Sequence, residues 1–422
     1  MTRPARASAV PLALAVCAVA VAGGFALKAQ CLTDWVGFVQ YERLCYNDIQ
    51  PLYGARHIDS GAFPYVNGSL DDGELVGGAI EYPVLTGVFM WAGGLLVDDV
   101  DAYLVVSAIM LAPFALVVAY LLARMRGRTA LMWAAAPALV LYSFHNWDLL
   151  VVAAAVGGIY AWWRGRSLLA AALFGVGGAL KAYPLLFLPA LALERWFAGE
   201  RREAGGVVAA GVGVFALANL PFIVANPSGW WATFDFHRLR GPNFDNIWAI
   251  REFGPLSLPM LEPEQLNLVT AVLTGGFIAI ALTVGVVRAR RSGAFPFLAV
   301  AAACLASFLL WNKVHSPQYA LWILPFFALL RVHPGWWVAY SVVDLAVYVG
   351  VFRFFFEVCS ADPSCAYTPG APSGAERLMD IGVFGRAGLL LVLFAVFLRA
   401  RPDPVASHPP PRVSVEGDRR PG

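Results

Sequence analysis

The sequence predicts an all-α, polytopic membrane protein: a bundle of about twelve crossings with one large loop after the first helix. Three observations carry this. Apolar residues make up 59% of the 422 and charged residues only 14%, where a soluble domain carries about 25% charge. Apolar runs recur from residue 9 to residue 399. Clusters of arginine punctuate them at intervals that fit alternating crossings.

The first run, "AVPLALAVCAVAVAGGFALKA", has the length of a transmembrane helix. A secretory signal core is shorter, roughly 7–15 residues, so an uncleaved first span is expected. The spans read as 9–29, 101–123, 129–143, 147–163, 167–181, 184–197, 205–225, 266–288, 294–311, 317–331, 335–356 and 378–399. Several are shorter than the ~17 residues that a perpendicular helix needs. The basic clusters are Arg3/Arg6, Arg124/Arg126/Arg128, Arg164/Arg166, Arg195/Arg201/Arg202, Arg288/Arg290/Arg291 and Arg399/Arg401. Placing them in the cytoplasm, as positive-inside topology requires, makes the spans alternate throughout. One adjustment follows. The segment "YPVLTGVFMWAGGLLV" (82–97) cannot be a full crossing, and is expected as a re-entrant or interfacial helix. Both termini are then cytoplasmic.

The polar stretches 30–81, 145–148, 236–248, 311–317 and 357–370, with the "KAYP" end of the fifth span, fall on the outer face. So do two cysteine pairs, Cys31 with Cys45 and Cys359 with Cys365, which suggests disulfides in an oxidising compartment. Cys17 and Cys304 lie inside apolar runs and read as packing residues. Residues 1–400 read as a single transmembrane domain. The Pro- and Arg-rich tail 401–422 reads as a disordered cytoplasmic segment. A net charge of +2 without any basic run interleaved with aromatics gives no reason to expect a nucleic-acid partner.

Chemistry-bearing residues gather in the outer segments. "CYNDIQPLYGARHIDSGAFPY" (45–65) carries Asp48, His57 and Asp59 among aromatics. Asp48 is either a solvated or capping acid or a general base. Glu81, beside Tyr82-Pro83, is either a helix-entry acid or a ligand for a sugar. In "VDDVDAY" (97–103) an N-cap role for Asp99 or Asp101 is the stronger reading, and a metal there has no His or Cys support. "SFHNWDLL" sets His145, Asn146 and Asp148 at the outer end of a short span, where polar groups need a cavity to face. Lys181 either snorkels to the interface or pairs with a phosphate or Asp148. "FDFHRLRGPNFDNIWAIREFG" concentrates His237, Arg238, Arg240 and Arg251 with aromatics, which fits an interfacial helix or an anionic-headgroup clamp. "WNKVHSPQYALWILP" adds Lys313 and His315. Asp344 and Arg386 lie at comparable depth in the last two spans and are expected to pair.

The order of these features resembles a known superfamily. A first helix precedes a large loop with an early Asp, followed by "YP", an "N-x-D" end, "K-x-YP-x-x-F-x-P" and "K-x-H-S-P-Q-Y". This pattern resembles the GT-C glycosyltransferases, and more closely the polyprenyl-phosphate-mannose-dependent mannosyltransferases of glycosyltransferase family 87. The segment "GALKAYPLLFLPALAL" is also similar to the dolichyl-phosphate-mannose-dependent enzyme that adds the first mannose to GPI anchors. The resemblance implies a GT-C fold and a polyprenyl-phosphate-linked donor. It also implies inverting transfer to a lipid or glycan acceptor. It places the catalytic base at Asp48, with Lys181 and His315 on further motif positions. Lys313, His237, Arg238 and Arg240 would join Lys181 and His315 on the donor phosphate. Glu81, Tyr82, Asn146 and Asp148 would orient sugar or acceptor. The family often pairs acids in the first loop, but position 47 is Asn, so a metal site and a cofactor are not expected. An arabinofuranose donor is the nearest alternative. A secondary transporter or a non-catalytic lipid-binding protein is the alternative of another class. A transporter favours repeats and polar residues at mid-membrane, whereas here they gather at one face.

Overall fold

Apolar runs this long cannot leave backbone polar groups unpaired in lipid, so helices are the available solution. The computed structural model describes residues 9–32, 35–249, 252–253, 256–257, 261–368 and 370–400. Arg3, Arg6, Arg251, Arg401 and the tail 401–422 lie outside the described residues. The helices are α1 (Ala9–Ala29), α2 (Ile49–Ala55), α3 (Val84–Gly94), α4 (Val100–Arg126), α5 (Pro137–Tyr142), α6 (Asp148–Trp163), α7 (Ser167–Leu180) and α8 (Leu188–Phe197). They continue with α9 (Arg201–Ala225), α10 (Pro227–Leu239), α11 (Pro263–Ser292), α12 (Phe297–Trp311), α13 (Ala320–Leu329), α14 (Pro334–Ala361) and α15 (Gly374–Arg399).

Among the described residues, five stretches are long and apolar enough to cross a membrane: α1, α4 with the turns after it to Ala134, α9, α11 and α15. The shorter apolar helices α6, α7, α12 and α13 pack between them, and α12 and α13 are almost wholly buried. The predicted span 129–143 is not one helix. It breaks at Ala135–Ala136, because Pro137 lacks the N–H and disfavours a helical residue before it. The predicted span 184–197 likewise divides into a 3-10 turn, Tyr183–Phe187, and α8. Helix α3 occupies the expected 82–97 segment; its 11 residues reach only about 16 Å, half a bilayer core.

Small residues let the helices approach closely, as membrane packing requires. A Cβ at Gly350 of α14 would stand 2.5 Å from the Met379 nitrogen of α15. Asp99 caps α4, accepting from the Asp101 and Ala102 amides at 3.0 and 2.8 Å. Both disulfides form, with Cα–Cα separations of 5.7 Å for Cys31–Cys45 and 4.1 Å for Cys359–Cys365. Cys17 and Cys304 are free and buried.

The first loop is anchored onto the bundle. A hairpin, β1 (Ser69–Asp71) and β2 (Glu74–Val76), turns on Asp72-Gly73, both with positive φ, as a two-residue hairpin loop favours. Its flank packs on α10: Asn226 donates to the Val66 and Gly68 carbonyls at 3.0 Å each, and Thr233 to Ile80 at 2.7 Å.

Arg386 is fully buried but does not pair with Asp344. Its Nη2 donates to the Asp245 carbonyl at 2.6 Å and lies 3.4 Å from Asp245 Oδ2. Helix depth places Asp344 and Arg386 at one level, but the 240–249 loop folds back into the bundle and supplies the nearer carboxylate. Among the described residues Asp344 Oδ1 has no hydrogen-bond partner. Arg386→Met strands the Asp245 carboxylate, and unfolding in detergent is expected to show a loss of about 3–5 kcal/mol. In an Asp245→Asn background the same change is expected to cost much less.

Candidate active site

The site forms where the first loop meets the 145–148 turn. Asp48 begins α2, and its backbone N–H donates to the His145 carbonyl at 2.7 Å. The preceding Asn47 is buried and locally engaged. Its Oδ1 accepts from the Gln50 amide at 2.9 Å and its Nδ2 donates to Gln50 Oε1 at 2.8 Å. An Asn there makes a turn that a second acid could not make in full, since a carboxylate cannot donate.

Asn146, 1% exposed, joins the parts. Its Nδ2 donates to Asp48 Oδ2 at 2.8 Å and to the Tyr82 hydroxyl at 2.6 Å. Its Oδ1 accepts from Lys181 Nζ at 3.3 Å and from the Trp147 amide at 2.6 Å. The carboxylate demands the amide's donor and the ammonium its acceptor, so the partners fix the amide's orientation.

Lys181 stands just past the C-terminus of α7, in extended backbone. Its Nζ donates to Asp148 Oδ2 at 2.7 Å, and Asp148 Oδ1 accepts from Trp322 Nε1, also at 2.7 Å. The ammonium sits 5.0, 5.4 and 5.8 Å from the rings of Tyr82, Tyr319 and Trp322. A lysine held this way is fixed in place without filling every direction around it.

Lys181 and Tyr82 line a cavity of about 660 Å³. Its wall also carries Glu81, His237, Arg238 and Lys313, with apolar surface from Phe234, Phe308 and Trp322. Glu81 is held by Arg56, whose Nε lies 2.7 Å from Oε2. His237 Nε2 donates to the Glu81 carbonyl at 2.8 Å; burial, chiefly, lowers its pKa, so it is neutral. Lys313 donates to the Arg238 and Arg240 carbonyls at 3.1 and 2.8 Å, closing the end of α10. Burial first, and the Arg240 charge second, draw its ammonium down to about 8. Arg238 is exposed at the rim and pairs with Asp235.

Two expected phosphate ligands lie off this wall. Arg240 turns to Asn243 Oδ1 at 2.7 Å. His315 donates from Nδ1 to the Leu309 carbonyl at 2.7 Å, and lines a separate pocket of about 10 Å³ with Asp245 and Arg386. Asp48 does not line the cavity either; it is reached through Asn146. Asp59, the other aspartate of the 45–65 stretch, is exposed, and its Oδ1 accepts from the amide of its neighbour Ser60. Arg56, Tyr319, Trp322 and a fully buried Lys28 escaped sequence reasoning. Tyr319 and Trp322 had a signal, three residues apart in the "SPQYALW" stretch.

Burial raises the Asp48 pKa, while the Asn146 hydrogen bond and the Lys181 charge oppose it. The model of glycosyltransferase family 87 matches residues 80–311, more than half of the chain. The chain belongs to that family. No curated protein and no solved structure matches it. Family 87 membership makes it a GT-C type membrane glycosyltransferase, an enzyme class that draws on lipid-linked donors. The matched stretch contains Glu81, Asn146, Asp148, Lys181 and His237, whereas Asp48 precedes it and Lys313 and His315 follow it.

Lys181→Met strands Asp148, whose side chain is 0% exposed. Thermal unfolding is expected to show about 3–5 kcal/mol lost, with most of it restored in Lys181→Met/Asp148→Asn. A raised Asp48 pKa works the other way. An aspartate whose folded pKa lies above its unfolded one loses folding free energy as pH rises through that window. Asp48→Asn is therefore expected to raise the unfolding temperature at neutral pH.

Proposed function

We propose that this family 87 enzyme transfers mannose from a polyprenyl-phosphate carrier to a glycolipid or glycan acceptor, with inversion. The observation that carries the reading is the Asp48–Asn146–Lys181 chain at the edge of an amphipathic cavity. The cavity's apolar wall suits the first isoprene units of a lipid carrier. Its cations, Lys181, Lys313 and Arg238, suit the phosphate at the end of that carrier. Asp48 lies on the other side of Tyr82 and Asn146, where an acceptor hydroxyl would approach.

The acceptor oxygen attacks the anomeric carbon as its bond to the phosphate oxygen breaks. The phosphate leaves with the electron pair, and Asp48 takes the hydroxyl proton. Fixed cations stabilise the charge that grows on the leaving phosphate. Attack from the face opposite the phosphate inverts the anomeric centre. Asp48 must be ionised to act, and its raised pKa sets the lower pH bound for transfer. The disulfides and the positive-inside arginines favour an active site on the extracytoplasmic face of the plasma membrane, with both termini cytoplasmic.

The test is transfer by reconstituted protein supplied with polyprenyl-phosphate-mannose or polyprenyl-phosphate-arabinose. Consumption of the mannose carrier supports the reading; consumption of the arabinose carrier alone replaces it with arabinosyl transfer. Asp48→Asn is expected to bind donor yet lose at least ~10²-fold in transfer, the lower end of a general base's contribution. Asp59→Asn is expected to lose far less. Retained turnover in Asp48→Asn would remove the base from this position.

A further inference from the structure

Lys28 closes α1 with 0% of its surface exposed. A buried ammonium is costly unless it is paired or fully hydrogen-bonded. Among the described residues no carboxylate hydrogen-bonds it. Its Nζ donates to the Tyr46 carbonyl at 2.6 Å and to the Tyr348 hydroxyl at 3.1 Å, and stands 3.5 Å from His145 Nδ1. Its polar neighbours are thus a carbonyl, a hydroxyl and an imidazole nitrogen. His145 is neutral, because burial and then the Lys28 charge hold its pKa well below the usual range. A neutral ring can accept at Nδ1.

The partners of this tripod converge on one segment. Tyr348 passes its own proton to the Leu44 carbonyl at 2.5 Å. Lys28 holds the Tyr46 carbonyl directly. His145 accepts the Asp48 N–H on its carbonyl. Residues 44, 46 and 48 are thus held in alternation by a single cluster, and Cys45 between them is tied to Cys31. The cluster draws on α1, the 145–148 turn and α14. None of its residues lines the 660 Å³ cavity.

We infer that Lys28 is a positioning residue for the reaction: it sets the register of the 44–48 segment, and so aims the Asp48 carboxylate at the acceptor. This rests on the assignment of Asp48 as base. Donor binding is assigned to other residues, so the inference separates the two kinetic constants. A misaimed base slows the chemical step and leaves donor affinity alone.

The experiment compares Lys28→Met, Tyr348→Phe, Asp48→Asn and Lys28→Met/Asp48→Asn in reconstituted membranes, with polyprenyl-phosphate-mannose as donor. Lys28→Met is expected to lower kcat by roughly tenfold or more, with the donor KM unchanged. Tyr348→Phe removes one arm at almost constant volume, and is expected to lower kcat less, again at constant KM. The double variant is expected to be no slower than Asp48→Asn alone, because Lys28 acts through Asp48. A folded Tyr348→Phe with wild-type kcat overturns the inference, even if Lys28→Met fails to fold. So does a donor KM that rises with the loss of rate, or a double variant that is slower still. Retained transfer in Asp48→Asn would instead overturn the base assignment itself.

Discussion

One primary amide joins the two halves of the site. Asn146 gives both its protons away, to the Asp48 carboxylate and the Tyr82 hydroxyl, and accepts from the Lys181 ammonium. It thereby joins an anion and a cation that do not bond each other. A direct Asp48–Lys181 ion pair would hold the Asp48 carboxylate against the ammonium, which already pairs with Asp148, rather than leave it free to meet an acceptor hydroxyl. An apolar residue at 146 would leave the carboxylate and the ammonium short of partners in a crowded, poorly solvated place. The neighbouring parts follow from that constraint: Asp148 anchors Lys181, Trp322 anchors Asp148, and the Asp48 amide is tied to the same 145–148 turn.

The proposed roles divide across Tyr82. On one side lies the apolar cavity with Lys181, Lys313 and Arg238. On the other lie Asp48 and the loop that holds it. Lys181 and Lys313 stand just past the ends of the short helices α7 and α12, where both line the cavity. Buried charge works against stability, and at Asp48 it does so directly, since burial raises its pKa. The fold compensates with disulfides, a capped loop and close helix contacts such as that at Gly350.

Much of this was legible in the sequence. Asn146, Asp148 and Lys181 were visible because short motifs place them at helix ends, where polar residues in lipid need a reason. Glu81 and Tyr82 were visible for the same cause. The disulfides were legible because each cysteine pair shares one loop, and the arginine topology agreed by placing both loops outside. What escaped was settled by loops folding into the bundle. Arg386 meets Asp245 rather than Asp344 because the 240–249 loop turns inward, and no helix count reports that. His315 lies beside Arg386 rather than on the cavity wall for the same reason. Lys28 escaped because a lysine at the end of a span reads as snorkelling, and its acceptors are backbone and ring atoms from distant segments.

The most direct measurement is the pH dependence of kcat/KM for transfer by Asn146→Ala, beside the wild type, with thermal unfolding recorded for both. The Asn146 hydrogen bond opposes the burial that raises the Asp48 pKa. Its removal should raise that pKa further, and the general base proposed at Asp48 acts only when ionised. The acid limb of the profile is expected to move to higher pH in a folded Asn146→Ala enzyme. An acid limb that stays where the wild type has it would contradict the account.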